Sequence, residues 1–274
     1  MRTAVVGVGH LGRHHARIHA AAHGVRLVRV VDVHPERAAS VAAQYGAQAT
    51  SDFRELEGQV DAVSLAVPTV LHTEIGCALL RMGIDVLVEK PIAHDVAGAD
   101  ELIGAAARGG RILQVGHTER YNPAVQALCS SVSRPRFIEV HRLGVFSPRS
   151  TDIDVVLDLM IHDLDLILQM MGSEPQRVDA MGVSALTDRV DIANARMVFK
   201  DGGVANVTAS RISAQKVRKL RVFERNAYHS LDFTDQHVER YALIESGGGR
   251  RIERSSLPVK RDEPLRRQIE SFMD

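Results

Sequence analysis

The sequence predicts an α/β fold with a doubly wound parallel sheet in its first part, followed by an α+β domain with a mainly antiparallel open sheet. Up to about Asn122, short apolar runs alternate with amphipathic helical patterns, as in a parallel sheet covered on both faces. Beyond this point the runs alternate apolar and polar residues, as in antiparallel strands. A glycine-rich turn directly follows the first run. We therefore predict two domains, residues 1–122 and 123–274.

The first part contains five predicted strands and four predicted helices. The strands are Thr3–Val6, Leu27–Val31, Ala62–Ala66, Asp85–Val88 and Ile112–Val115. The helical patterns between them are Leu11–Ala22, Pro35–Tyr45, Leu71–Arg81 and Val96–Ala107. In such a sheet, functional residues are expected in the loops at the carboxyl ends of the strands.

The turn after the first strand has the pattern Gly7-x-Gly9-x-x-Gly12. A glycine at the first position permits the turn, the second lets the main chain approach a pyrophosphate, and the third lets the next helix pack closely. The first N–H groups of that helix then receive the phosphate charge. This pattern, with a strand before it and a helix after it, predicts a dinucleotide site.

Asp32 lies twenty positions past Gly12, at the end of the second apolar run. A carboxylate at this position accepts hydrogen bonds from the adenosine ribose hydroxyls and repels a 2′-phosphate. The expected cofactor is therefore NAD, with NADP less favoured. Arg37 is close enough in sequence to weaken this preference without reversing it.

The second part begins with one long predicted helix, Asp154–Met171, before the alternating runs. These runs are Arg177–Val183, Asp191–Phe199, Val204–Ser210, Arg218–Glu224 and Val238–Glu245. An open sheet with a helix on one face leaves its other face uncovered. We therefore expect a homodimer or homotetramer that forms through this sheet.

The predicted helix carries a narrow polar stripe on an otherwise apolar surface. The stripe consists of Asp154, Asp158, His162, Asp165 and Gln169. Asp158 and His162 are four residues apart, so the carboxylate can orient the imidazole and raise its basicity. Asp163 falls off the stripe and needs a partner that the sequence does not name. The stripe either lines a functional cleft or simply faces solvent.

Lys90 follows the strand Asp85–Val88 directly and precedes a proline. This position is the carboxyl edge of the parallel sheet, where a nicotinamide is expected. A lysine at a strand end is commonly just a solvated charge. The proline that fixes the next turn favours deliberate placement of Lys90.

Composition excludes several classes of function. The chain has 34 basic and 34 acidic residues, so its net charge favours neither nucleic acid nor a membrane surface as a partner. It has no run long enough to span a membrane, and nothing at its start resembles a signal peptide. Cys77 and Cys129 have no metal or redox spacing, and we expect a cytoplasmic protein. His15 and His19 have metal-ligand spacing but lack acidic or cysteine companions, so no metal is expected.

The chain resembles the glucose–fructose oxidoreductase/inositol dehydrogenase (Gfo/Idh/MocA) family over essentially its whole length. The resemblance rests on the glycine turn, on Val67–His72, on Gly83–Pro91 and on the Asp158-x-x-x-His162 helix. It implies an NAD-dependent dehydrogenase acting on a secondary alcohol of a sugar, cyclitol or nucleotide sugar. It also implies that Lys90, Asp158 and His162 are catalytic.

The resemblance further implies which residues contact the cofactor and the substrate. The cofactor residues are Gly7, Gly9, His10, Leu11, Gly12, Asp32, Pro68, Thr69, His72, Glu89 and Lys90. The substrate residues are His117, Arg120, Tyr121 and Asn122. An arginine and an asparagine suit a substrate rich in hydroxyl or phosphate oxygens.

Within the family, Val115–Pro123 and Val155–Asp163 are similar to members that oxidise the 3-hydroxyl of UDP-N-acetylglucosamine. Oxidation of inositol or an aldose is the alternative within enzymes. A nucleotide-binding sensor without turnover is the alternative outside them, because fold alone does not imply catalysis. Family chains usually continue past Glu263–Phe272 with a helix that packs on the nucleotide domain. The chain ends at Asp274, within the expected position of that helix, so we expect either a truncated C-terminus or a nucleotide domain that lacks this support.

Overall fold

A computed structural model describes residues 1–146, 153–246 and 249–274. The chain divides into two compact units, of which the first comprises residues 1–117 and 265–274 and the second comprises residues 118–264. The division lies slightly before the domain boundary predicted at residue 122. The last ten residues belong to the first unit, whereas the predicted boundaries placed them in the second domain.

The first unit is built on a six-stranded parallel sheet. Its strands are β1 (Arg2–Val6), β2 (Arg26–Val31), β3 (Gln48–Thr50), β4 (Ala62–Leu65), β5 (Asp85–Val88) and β6 (Leu113–Val115). Its helices are α1 (Gly12–Ala21), α2 (Pro35–Tyr45), α3 (His72–Arg81) and α4 (Val96–Gly109). The strand order β3-β2-β1-β4-β5-β6 reverses direction at β1, which confirms the doubly wound topology.

The burial of each strand in this sheet explains which strands could be predicted from the sequence. Residues of β1, β4 and β5 are almost fully buried, because helices cover both faces of the central strands. The edge strand β3 has only three residues, none of them buried. A short exposed edge strand carries no apolar pattern, so the sequence prediction missed it.

The last helix of the chain packs within the first unit. This helix, Pro264–Met273, buries Ile269 completely and leaves Phe272 only 5% exposed. Both side chains join a cluster with Ile18, Ala62 and Leu87. The segment Pro264–Met273 therefore forms a helix that packs within the first unit.

The second unit combines helices with an eight-stranded sheet. Its first elements are α5 (Pro123–Ser131), the strand β7 (Phe137–Leu143), a π-helical turn (Val156–Met160) and α6 (Ile161–Met171). The remaining strands are β8 (Pro175–Val183), β9 (Ile192–Phe199), β10 (Val204–Ser210), β11 (Val217–Phe223), β12 (Ala227–Asp232), β13 (His237–Ser246) and β14 (Gly249–Ser256). The final helix of the chain is α7 (Pro264–Met273).

The sheet has the order β14-β13-β12-β11-β7-β10-β9-β8 and is antiparallel except where β7 pairs with β10. Along β7, buried residues alternate with half-buried ones, so one face carries the core and the other is left open. The core face packs against α5 and α6. These features confirm the predicted α+β domain.

The prediction for this sheet was incomplete, because it missed β7, β12 and β14. β7 and β12 bury Arg142 and His229 on their core faces, which breaks the apolar alternation used to recognise a strand. β14 is exposed along its whole length. β13 ends at Ser246 and β14 begins at Gly249, and residues 247 and 248 lie outside the described part.

None of the helices in the described ranges has the length and apolar character needed to cross a membrane.

Candidate active site

The glycine turn of the first unit has the geometry that a dinucleotide requires. Gly7 has a φ angle of +83°, and a Cβ atom on it would lie 2.7 Å from the carbonyl oxygen of Ala66. A Cβ atom on Gly12 would overlap the carbonyl oxygen of Gly7, so only glycine lets α1 start this close to the turn. The turn therefore brings the start of α1 against the end of β1.

Two observations show that this turn fits a pyrophosphate. A Cβ atom on Gly9 would meet nothing within 4 Å, so the main chain is open to an approaching group at this point. No side chain of the described residues caps the N-terminus of α1. The helix dipole favours an anion at this end, and the N–H groups of Arg13 and His14 donate to the carbonyl oxygens of Gly9 and Leu11.

Asp32 directly follows β2, and its carboxylate is held in a defined orientation. Its Oδ2 atom accepts a hydrogen bond from the Val8 N–H at 2.9 Å, and Oδ1 accepts one from the His34 N–H at 2.9 Å. The carboxylate is 4% exposed, and Nη1 of Arg37 lies 3.4 Å from both of its oxygens. Arg37 therefore offsets part of the negative charge that disfavours a 2′-phosphate.

The loop after β4 is tied to the turn after β5 by His72. The Nδ1 atom of His72 lies 2.9 Å from the carbonyl oxygen of Pro91, and its Nε2 atom lies 3.0 Å from that of Val67. The imidazole is 1% exposed. Its contacts give it a role in joining these two loops, while Pro68 and Thr69 remain accessible in the loop itself.

Glu89 lies beneath the end of β5 next to Lys90. The Glu89 carboxylate accepts a hydrogen bond from the Lys90 N–H at 3.3 Å, and its Oε1 atom lies 3.2 Å from Nε2 of His15. A Cβ atom on Gly116 would lie 2.8 Å from the same Oε1 atom. Because Glu89 is 6% exposed, it supports the backbone of Lys90 from inside the unit.

The two buried histidines of α1 have separate partners. His15 faces Glu89, whereas Nε2 of His19 lies 2.8 Å from the Ser64 hydroxyl. Burial, reinforced by His15, lowers the pKa of His19 to about 3, so this ring is neutral at neutral pH. Among the described residues no group of three His, Cys, Asp or Glu side chains could hold a metal ion.

In the second unit the predicted catalytic helix begins later than the sequence suggested. The predicted start, Asp154, precedes the helix and accepts a hydrogen bond from the Val190 N–H at 3.1 Å. Asp158 lies in the π-helical turn and His162 in the first turn of α6, and both are half-buried. A π-helical turn winds more slowly than an α-helix, so a uniform projection of this stripe is inaccurate.

Asp163 has the partner that the sequence could not name. Its two carboxylate oxygens each accept a hydrogen bond of 2.8 Å from Arg142, whose Nη1 also donates to Glu119 at 3.1 Å. Arg142 is 2% exposed, and its guanidinium lies 4.9 Å from the ring centroid of Phe233. Burial alone would lower the pKa of Arg142, but the two carboxylates outweigh it and raise this pKa.

This ion pair anchors the first turn of α6. Asp163 directly follows His162 in sequence and is completely buried. A bidentate contact fixes the direction of both side chains, so it also restricts the backbone that carries the imidazole. The Arg142–Asp163 pair therefore anchors the backbone next to His162.

The predicted substrate residues are placed differently from one another. Arg120 donates from Nε and Nη2 to Asp165 at 2.7 and 2.5 Å, which raises the pKa of Arg120. Asn122 is 2% exposed and accepts a hydrogen bond from the Ala124 N–H, so it caps α5. Its amide donates to Glu119 and to the Phe233 carbonyl oxygen. His117 and Tyr121 are half-buried.

Comparison with known proteins decides the family. Residues 1–117 match the family model described as an oxidoreductase family with an NAD-binding Rossmann fold, and residues 129–227 match the C-terminal domain model of the same family. The chain is also 42% identical to a UDP-N-acetylglucosamine 3-dehydrogenase of Acidithiobacillus ferrooxidans, covering 100% of this chain and 88% of that protein. The chain belongs to the Gfo/Idh/MocA family. It is an NAD-binding oxidoreductase of that family, as its motifs predict.

Solved structures agree with this fold. A structure of the Acidithiobacillus ferrooxidans enzyme has a TM-score of 0.93 and 41% identity, covering 100% of this chain and 88% of that one. A levoglucosan dehydrogenase in complex with NADH and levoglucosan has a TM-score of 0.87 at 18% identity, which supports the fold alone. An inositol 2-dehydrogenase of Rhizobium meliloti is 28% identical over 66% of this chain and 58% of that protein.

Asp32 should control which dinucleotide binds. We expect Asp32→Asn to weaken NADH binding about tenfold or more, because the loss of a charged acceptor costs about 1.5–3 kcal/mol. NADPH binding should change less, so the preference for NADH should narrow. Titration calorimetry with both dinucleotides measures this ratio. Asp52→Asn is the matched control, since Asp52 also accepts a backbone hydrogen bond in this unit; an unchanged ratio in Asp32→Asn would contradict the assignment.

His19 should make the protein sensitive to acid. The pKa of His19 is about 3 in the folded protein and 6.5 ordinarily, so between these values only the unfolded chain binds the proton. The free energy of unfolding should therefore fall as the pH drops below about 6.5, by about 2 kcal/mol between pH 7 and pH 5. We expect His19→Gln to remove this part of the loss.

Urea unfolding at pH 7 and pH 5 measures that difference. His23→Gln replaces an exposed histidine of the same unit and serves as the control. The interpretation fails if His19→Gln and the parent protein lose equal stability over this interval.

Proposed function

We propose that this chain oxidises the 3-hydroxyl of UDP-N-acetylglucosamine with NAD as the hydride acceptor. The observation that carries the proposal is the 42% identity to an enzyme of that name, because it extends over the whole chain and not only over the nucleotide-binding part. The glycine turn and Asp32 supply a site that suits NAD. The substrate, the reacting hydroxyl and the residue roles below are parts of this proposal.

Lys90, Asp158 and His162 are the proposed catalytic residues. NAD, when bound, accepts a hydride at its nicotinamide ring. His162 removes the proton from the ring hydroxyl as general base, and Asp158 orients the imidazole. Lys90 donates a hydrogen bond to the same oxygen and stabilises its developing negative charge. The backbone next to His162 is anchored by the contact between Arg142 and Asp163. The backbone at Lys90 is supported by Glu89, which His15 contacts.

The proposed cofactor residues divide by chemistry. The turn Gly7–Gly12, including His10 and Leu11, surrounds the pyrophosphate, and Asp32 binds the adenosine ribose. Pro68 and Thr69 contact the cofactor from the loop after β4, whereas His72 and Glu89 act by holding that loop and Lys90. These roles follow from exposure, since His72 and Glu89 are 1% and 6% exposed.

The proposed substrate residues are His117, Arg120 and Tyr121. Arg120 uses Nε and Nη2 to bind Asp165, so Nη1 is the atom that we assign to a substrate oxygen. Asn122 was also expected to bind substrate. Its buried side chain instead supports this role indirectly, by capping α5 directly after these residues.

Inositol is the alternative substrate, because inositol 2-dehydrogenases are among the similar proteins. A sensor without turnover is the alternative outside enzymes, but the similarity to a dehydrogenase over the whole chain favours catalysis. The cytoplasm is the proposed compartment, which is consistent with two free cysteines whose pKa values burial raises. Nucleic acid and membrane are not proposed as partners.

We also propose a homodimer or homotetramer formed through the open face of the second unit's sheet. Four aromatic side chains form a row on neighbouring strands there, namely Phe137, Phe223, Tyr228 and Tyr241. Successive ring centroids are 5.7, 4.8 and 5.2 Å apart. A half-buried aromatic row on a sheet face without covering helices suits an interface between copies of the chain.

Catalysis should appear as NADH formation with a nucleotide sugar. Purified protein with NAD is mixed with UDP-sugars, inositols and aldoses, and absorbance of NADH is followed. We expect turnover with UDP-N-acetylglucosamine. His162→Asn and Lys90→Met should each lower kcat by about 10²- to 10⁴-fold, because each removes a group that acts on the reacting oxygen. Lys200→Met replaces an exposed lysine and is the control.

The other outcomes separate the alternatives. Turnover with inositol or an aldose alone would keep the dehydrogenase and discard the nucleotide sugar. Binding of NADH without turnover on any substrate would favour the sensor. Normal kcat in Lys90→Met would remove Lys90 from the mechanism, and NADH affinity measured by calorimetry shows whether that variant still binds its cofactor.

The oligomer should depend on the aromatic row. We expect light scattering to give the mass of a dimer or tetramer for the parent protein. Tyr228→Glu should shift it towards a monomer, because the new charge would be buried at the interface. Ile103→Glu puts the same charge at a 55% exposed position in the first unit and should not change the mass. A monomeric parent protein at micromolar concentration would contradict the proposal.

A further inference from the structure

A second charged cleft lies in the second unit, and nothing in the proposed reaction uses it. Its volume is about 420 Å³. Four arginines line it, Arg134, Arg136, Arg225 and Arg240, and we call it the arginine cleft. It lies beyond the C-terminal end of α5, whereas the residues proposed for substrate lie before its N-terminal end. A cleft of this size is in the usual range for small-molecule sites.

The acidic residue in the arginine cleft is already engaged by the protein. Oε1 of Glu224 accepts hydrogen bonds from the N–H groups of Ser133 and Arg134, both at 2.9 Å, and from the Ser133 hydroxyl at 3.0 Å. Burial raises the pKa of Glu224, but these hydrogen bonds outweigh it and lower the pKa overall. The carboxylate thus fixes the loop after α5 instead of pairing with an arginine side chain.

The arginines themselves keep their charge uncompensated. Among the described residues, no carboxylate forms an ion pair within 4.0 Å of any of the four guanidiniums. His229 borders Glu224, and burial lowers its pKa, so it is neutral at neutral pH. Asp201 lines an adjoining cleft of about 220 Å³ with Arg134 and Arg136, where its Oδ1 accepts the Gly203 N–H at 3.1 Å.

We propose that the arginine cleft binds a small molecule carrying a diphosphate. Guanidinium groups bind phosphate oxygens through paired hydrogen bonds, and two adjacent phosphates can use several arginines at once. The whole chain has equal numbers of basic and acidic residues, so the positive excess in the cleft is a local feature. This site is additional to the pyrophosphate site at the glycine turn.

Calorimetric titration with inorganic pyrophosphate tests the proposal. The protein is first saturated with NAD, so that pyrophosphate does not report on the glycine turn. We expect binding to the parent protein and a loss of at least tenfold in affinity in the double variant Arg136→Gln/Arg225→Gln. The double variant Arg177→Gln/Arg196→Gln removes the same charge from exposed arginines of the same unit and should bind within about twofold of the parent.

Three results would overturn the proposal. They are an absence of binding at millimolar pyrophosphate, equal affinity in the two double variants, and a change of oligomer mass in Arg136→Gln/Arg225→Gln without any pyrophosphate binding. The last result would assign the arginine cleft to an interface between copies. Because binding is measured without turnover, each result is independent of the proposed dehydrogenase activity.

Discussion

The close contact between α1 and the glycine turn is the constraint on which the cofactor site depends. Gly12 rests against the carbonyl oxygen of Gly7, with no room for a Cβ atom. That contact brings the start of α1 against the turn. It also brings the inner face of α1 over β4 and β5, where His19 meets Ser64 and His15 meets Glu89. A residue larger than glycine at position 12 would therefore disturb both the phosphate site and the support of Lys90.

Buried polar groups next to Lys90 and next to His162 both support the backbone at these residues. Glu89 accepts the Lys90 N–H, and Asp163 anchors the turn that carries His162. Buried polar groups of this kind cost free energy unless they are paired, and Asp163 has Arg142 as its partner while Glu89 accepts the Lys90 N–H and faces His15. A buried side chain that is bonded to a buried partner cannot change its conformation freely, so the backbone next to it is held in place. Such support matters because a displacement of about 1 Å can cost about a hundredfold in rate.

The sequence predicted the parts of the structure that depend on local spacing. The glycine turn, Asp32 and the Asp158–His162 spacing are recognised because turn geometry and helical periodicity follow from neighbours in sequence. The family resemblance supplied the roles of these residues, and the comparisons confirm the family. The doubly wound order follows from the alternation of strands and helices.

The missed features depend on contacts between distant residues. Arg142 is a charged residue in the core face of β7, and its pairing with Asp163, twenty-one positions later, and with Glu119 makes its burial acceptable. Periodicity therefore reads β7 as irregular and leaves Asp163 without a partner. The π-helical turn before α6 is also invisible to a pattern that assumes uniform winding. Likewise, His15 and His19 have the spacing of metal ligands, yet each turns to a different strand of the sheet.

The second unit contains arginines in two opposite electrostatic environments, at Arg142 and in the arginine cleft. Arg142 is buried, so the fold requires the carboxylates that surround it. The arginines of the cleft are mostly exposed, and water can satisfy them, so folding requires no counterion there. Their mutual repulsion nevertheless opposes the compact state. Folding alone thus gives no reason for four arginines to line one cleft, whereas an anionic ligand does. At physiological ionic strength the Debye length is about 8 Å, so this attraction acts on an anion that is already close to the cleft.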